Sequence, residues 1–126
     1  MQVSGALATY MAYQFAKLLK DRFVDWDAYK LGLIDEKGNI IKSPKTKEEK
    51  DSLNYLINLA RKIKIVLVRY VGDNRMVNFL IAAYLLKSES KQDDSIANEI
   101  QESLTAKELL TLDSISLTLV ELQDDI

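Results

Sequence analysis

The chain has no cysteine and no histidine among its 126 residues. Without thiols there is no disulfide, no thiolate zinc site and no cysteine nucleophile. Without imidazole the usual general base and the commonest transition-metal ligand are missing as well. Any chemistry would fall to a carboxylate, Lys, Tyr, Ser or Thr. Proline occurs once and glycine four times, and so few turn-formers favour long helices over many tight loops. No glycine-rich phosphate loop, nucleophile elbow or paired-histidine helix is present. The uncharged stretch Val3 to Ala16 is 14 residues long, whereas a bilayer-spanning helix needs about 20. No basic residue precedes it, so a secretory leader is not expected.

What the chain does have is enough apolar sequence for a core. Apolar residues make up 48% and charged ones 29%, which predicts one soluble globular domain over residues 1–126. The net charge of −2 conceals an uneven distribution. Residues 42–75 hold nine basic and four acidic groups, and residues 87–126 hold three basic and ten acidic. A basic middle and an acidic tail predict that the tail folds back on the middle, within one chain or between neighbouring subunits.

The patterning is mostly helical. Leu7, Met11, Phe15 and Leu18/Leu19 fall on one stripe, with Ala8, Ala12 and Ala16 beside it, predicting a first helix that lets a neighbour approach closely. Lys17, Lys20 and Arg22 suit its C-terminal dipole. Trp26 reads as a core anchor, Asp25 or Asp27 as an N-cap, and Gly32 as a helix stop. Leu33–Ile34 and Ile40–Ile41 flank a polar turn in which Gly38 can take positive φ, predicting a small β-hairpin near 33–41. Asp35, Lys37 and Asn39 have a superficial calcium-loop spacing. The glycine is misplaced and the distal Glu is absent, so that reading fails.

Thr46 and Glu49 form a capping box. It predicts one helix of some 26 residues, to about Val71, with an apolar seam of Leu53, Leu56, Ala60, Ile63, Leu67 and Tyr70. Ile65 to Val68 is β-branched enough for a strand, but the seam continues through it. A Gly72-Asp73-Asn74 corner, with Asp73 or Asn74 as cap, leads into a helix from about Arg75 to Lys87. That helix is uncharged from Met76 to Leu86 and so needs burial on every side. Residues 88–95 read as a polar linker. Ile96, Ala97, Ile100 and Leu104 predict a short amphipathic helix, and Thr105/Glu108 a second capping box. Leu109, Leu112, Ile115, Leu119 and Leu122 favour a final helix, although Ile115, Leu117 and Leu119 alternate as a strand would. The fold expected is therefore mainly α: a helical bundle of four to five helices with a small β-hairpin.

Three classes of function compete. Lys42, Lys45, Lys47, Lys50, Arg61, Lys62, Lys64 and Arg69, with Tyr55 and Tyr70 among them, are candidate phosphate contacts. The helix after the corner, however, offers base edges almost nothing polar. Pairing with the acidic tail is the simpler use of Lys42, Lys45, Lys47, Arg61, Lys62, Lys64 and Arg69. Catalysis has only the acidic pairs Asp25/Asp27, Asp35/Glu36, Asp93/Asp94 and Asp124/Asp125, each in a cap, turn, linker or terminus. No enzyme activity, cofactor or metal is expected. Assembly is favoured, with Met76, Phe79, Leu80, Tyr84, Leu117 and Leu119 as candidate contacts.

The run Trp26 to Asn39 (WDAYKLGLIDEKGN), continuing through Lys45-Thr46-Lys47-Glu48-Glu49-Lys50, resembles small proteins of tailed bacteriophages whose role is structural or unassigned. The resemblance covers about residues 10–86. It implies a virion or assembly component, found in the particle or in the host cytoplasm during assembly. The partners implied are other copies or other virion proteins. It transfers no functional residue.

Overall fold

The computed structural model describes residues 5–72, 75–80 and 95–124. It consists of α1 (Gly5–Lys20), α2 (Asp27–Lys30), α3 (Lys47–Ser52), α4 (Tyr55–Leu67), α5 (Met76–Leu80), α6 (Ser95–Ser103) and α7 (Ala106–Asp124), with a 3-10 turn at Phe23–Asp25. α1 lies against both α4 and α7, while α5 and α6 pack on α4. No described helix is long and apolar enough to cross a membrane.

α1 turns Ala12, Phe15, Ala16 and Leu19 into the core. The alanine column therefore faces inward. Leu7, expected on the buried stripe, is 53% exposed. Its last carbonyls need partners that the helix cannot supply, and the following segments provide them. Asp21 N–H donates to Lys17 O at 2.9 Å, and Trp26 Nε1 donates to Leu18 O at 3.2 Å. Trp26 is 3% exposed and its ring lies 4.9 Å from that of Phe23 at 60°, so the expected anchor is also a cap.

Neither Asp25 nor Asp27 caps α2: Trp26 holds the N-cap position without a side-chain bond, and Asp27 is already helical. The far end does follow the expected stop. Gly32 has φ +76, Gly32 N–H bonds to Tyr29 O and Leu33 N–H reaches back to Ala28 O, both at 2.9 Å. That is a Schellman motif, and buried Ala28 and Leu33 are its apolar contact.

The β-hairpin at 33–41 does not form. A single antiparallel bridge, Ile34 to Ile40, is all that remains of it. The Asp35 carboxylate explains the tight loop, since its Oδ1 accepts from both Lys37 N–H and Asn39 N–H at 2.9 Å. Asp35 N–H to Asn39 O at 2.9 Å and Ile41 N–H to Leu33 O at 2.8 Å flank that bridge, and Lys42 N–H also turns to Leu33 O at 3.3 Å, so the pairing goes no further. Leu33 and Ile34 are buried, whereas Ile40 and Ile41 are exposed. Gly38 has φ +87, and a Cβ there would lie 2.4 Å from the Phe23 ring, so the loop is seated directly on that aromatic.

The long helix expected from Thr46 is two helices. Its start is as expected, with Glu49 N–H donating to Thr46 Oγ1 and Thr46 N–H to Glu49 Oε1. It breaks after Ser52: Leu53 leaves helical geometry at φ −129, ψ 44, and the Asn54 side chain caps α4 by accepting from Ile57 N–H. α4 then buries Leu56, Leu59, Ala60, Ile63, Val66 and Leu67, which makes Ile65–Val68 helical with a turn at its end. Tyr70, placed on the seam by sequence, is 40% exposed.

α5 carries Met76 and Leu80, both with no exposed surface. The remainder of the uncharged helix, the cap at Asp73 or Asn74 and the linker at 88–94 lie outside the described residues; Ser95 belongs to α6. α6 buries Ala97 and Ile100. α7 is helical throughout, which excludes the strand at 115–119. It opens with the second capping box, Thr105 N–H to Glu108 Oε1 at 2.9 Å and Glu108 N–H to Thr105 Oγ1 at 3.2 Å.

Candidate functional site

The most buried ionic group in the described structure is Lys64, at 1% exposure. It sits on the flank of the inward face of α4. Its ammonium donates to Leu19 O at 2.7 Å, lies 3.9 Å from Met76 Sδ and stands 5.4 Å from the centre of the Phe23 ring. The C-terminus of a helix carries partial negative charge, and a cation placed there is stabilised. An aromatic face adds a second attraction. Lys64 therefore joins α1, the Phe23 turn, α4 and α5. This position gives an external anion no access, so its sequence assignment as an anion contact is corrected: it supports the fold.

Its neighbours are engaged in the same way. Arg61 Nη1 donates to Gly38 O at 3.2 Å and its Nε to Asn58 Oδ1 at 2.8 Å. Burial lowers the guanidinium from its ordinary pKa, with the Glu108 charge opposing. Lys62 pairs with Glu108 at 2.8 Å. At the end of α4, Arg69 Nη1 and Tyr70 Oη both donate to Glu99 of α6 at 2.8 Å. Further back, Lys42 pairs with Glu49 and Lys47 with Asp51. Lys45 is exposed and gives its backbone N–H to Glu49 Oε1. The basic middle thus meets the acidic tail at Lys62–Glu108 and Arg69–Glu99.

The carboxylates are also held by local partners. Asp35 is lowered first by the Asn39 N–H and then by that of Lys37. Glu49 is lowered by the N–H groups of Lys45 and Thr46. Burial pushes Glu108 up, but the Lys62 ammonium and Thr105 outweigh it and hold it below the usual glutamate range. Among the described residues no cluster of three or more acidic side chains could hold a metal. Asp93, Asp94, Asp125 and the side chain of Asp124 lie outside the described residues.

The apolar contacts expected from sequence divide differently. Met76, Leu80 and Leu119 are core residues, at 0%, 0% and 5% exposure, so they present nothing to a partner. Tyr84 and the side chain of Phe79 lie outside the described residues. Of the four whose side chains are described, Leu117 alone is on the surface, at 58%. It has company that sequence reasoning missed: Leu110 at 69% on α7, and Leu7, Tyr10 and Tyr13 at 53%, 63% and 61% on α1. On α1, Leu7, Tyr10, Gln14 and Lys17 follow one another at outward helical spacing, and on α7 Leu110, Ser114, Leu117 and Glu121 do the same. An open groove separates these two packed helices, lined by Gly5, Ala8, Thr9, Ser114, Leu117 and Thr118 among others. A single exposed Leu is ordinary; here five large apolar side chains of these two helices are exposed, and Leu117 is the one of them that lines the groove. Comparison with known proteins finds no matching family model, no similar curated protein and no similar solved structure.

Proposed function

We propose that this chain is a non-enzymatic assembly subunit that acts through self-association and protein–protein contact. The particle it serves is a bacteriophage particle, as the resemblance to small tailed-phage proteins implies. Its place is then the virion, or the host cytoplasm during assembly. The observation that carries the reading is the outer side of α1 and α7, where Leu7, Tyr10, Tyr13, Leu110 and Leu117 stand in solvent. The lack of histidine and cysteine supports a non-enzymatic role. A nucleic-acid role for residues 42–75 has less in its favour: Lys64 is enclosed, Arg61 is half-buried against Gly38, and Lys62 and Arg69 face carboxylates. Light scattering behind size exclusion tests the reading. A mass that grows with loading concentration supports it, and the mass of one chain at every concentration removes it.

A further inference from the structure

We infer that residues 43–53, with α3 at their centre, form a flap that opens from the body of the molecule as one unit while the core stays folded. The inference does not depend on the assembly reading.

α3 has almost nothing to bury. Its sequence, KEEKDS, contains no apolar side chain, and Ser52 is its one buried residue. The Ser52 hydroxyl donates to Glu49 O at 2.7 Å, within the helix itself. The rest of the bonding is closed in the same way. The Glu49 carboxylate accepts from Lys45 N–H at 2.9 Å and Thr46 N–H at 3.2 Å, and it pairs with the Lys42 ammonium at 3.4 Å. Lys47 pairs with Asp51, while Lys50 N–H and Leu53 N–H bond back to Thr46 O and Lys50 O. Among the described residues, no hydrogen bond or ion pair leads from residues 43–53 to anything outside 42–53.

The two ends, by contrast, are fixed. Ile41 and Lys42 N–H both bond to Leu33 O, and Asn54 caps α4 by accepting from Ile57 N–H. Between these posts the segment is held by packing alone, of half-buried Leu53 on the core and of α3 beside α2. Opening therefore strands no polar partner on the body and uncovers little apolar surface, the features of a low-energy local opening. A helix of six residues is marginal once undocked, so the opened flap melts. Ser52 lines a small cleft with Leu18, Trp26 and Ile57, and that wall of the cleft leaves with the flap.

Native-state hydrogen exchange on the full chain, with mild urea added in steps, is the test. The Lys50 and Leu53 amides exchange at least about a hundredfold faster than those of Leu59 to Ile63 in α4, at rates that do not change while the core stays folded. A thiol supplies a second readout, because the chain has no cysteine of its own. Ser52→Cys is labelled by a thiol reagent well below the urea midpoint. Ser116→Cys, buried in α7, is labelled at least about a hundredfold more slowly. Glu49→Ala, which removes the acceptor of two N–H groups, speeds exchange at Lys50 and Leu53 several-fold. The flap is overturned if the Lys50 and Leu53 amides share the urea dependence of α4, or if Ser52→Cys is labelled only as fast as the whole chain unfolds.

Discussion

α1 and α4 pack against each other at the centre of the molecule, and each breaks the rule of apolar inside and polar outside in the opposite sense. α4 sends a lysine into the core. α1 keeps alanines for the core and puts Leu7, Tyr10 and Tyr13 in solvent. The first violation is explained within the chain, since Leu19 O, the Phe23 ring and Met76 surround the Lys64 ammonium. For the exposed aromatics of α1, nothing among the described residues provides equivalent cover. The difference separates a buried polar group that secures the fold from exposed apolar ones on which the proposed assembly role rests.

The largest test of this contrast is Lys64→Ala. It leaves the Leu19 carbonyl buried without its donor and opens space beside Phe23, so urea denaturation should show a loss of about 3 kcal/mol. Ala12→Leu probes the inner face of α1, which has no room for a larger side chain, and should cost about 2 kcal/mol by overpacking. Glu108→Gln removes the Lys62 pair and should cost about 1 kcal/mol at neutral pH. The sign with pH follows from the lowered carboxyl. The ion pair stabilises the fold above the ordinary glutamate value of about 4.3, and that contribution is lost as pH falls through the lower folded value. The variant should therefore show a shallower loss of stability below about pH 4.3 than the natural chain.

Ser116 provides the counterpart to Lys64. Its hydroxyl is fully buried and has no hydrogen-bond partner among the described residues. Ser116→Ala should be neutral, or should stabilise by up to about 1 kcal/mol, in the same denaturation series. The smallest expected effect on folding is at the surface. Tyr10→Ser and Tyr13→Ser should change stability by less than about 0.5 kcal/mol at concentrations where the chain is monomeric, while shifting the mass in solution at higher ones. Titration of duplex and single-stranded DNA at two salt concentrations should show no binding, and tight binding with a steep salt slope would restore the nucleic-acid reading.

What was legible in the sequence was mostly local. Both capping boxes, the Gly32 stop and the helical nature of α1, α6 and α7 follow from bonds made within a few residues. The break at Leu53–Asn54 was also local, yet it was hidden because Leu53 and Leu56 continue the apolar seam across it. Only the short Asn54 side chain, suited to a cap, signalled it. The hairpin stops at one bridge because the Asp35 carboxylate takes the Asn39 N–H, while the Asp35 carbonyl that a longer ladder would offer it accepts from Gly38 N–H. Lys64 was misread for a different reason. Its partners are the end of α1, 45 residues away in sequence, and a bend that places Phe23 and Met76 beside it. No periodicity reports such a junction. The outer face escaped notice because the inner one takes Phe15 and Leu19 together with Ala12 and Ala16, which leaves Leu7 in solvent although it continues the same stripe in sequence.

Sedimentation equilibrium of the unmodified chain over a wide concentration range tests the central claim most directly. The account predicts a weight-average mass that rises with concentration above that of one chain, and falls back to it in a Leu110→Ser/Leu117→Ser double variant. A mass of one chain at every concentration would contradict it.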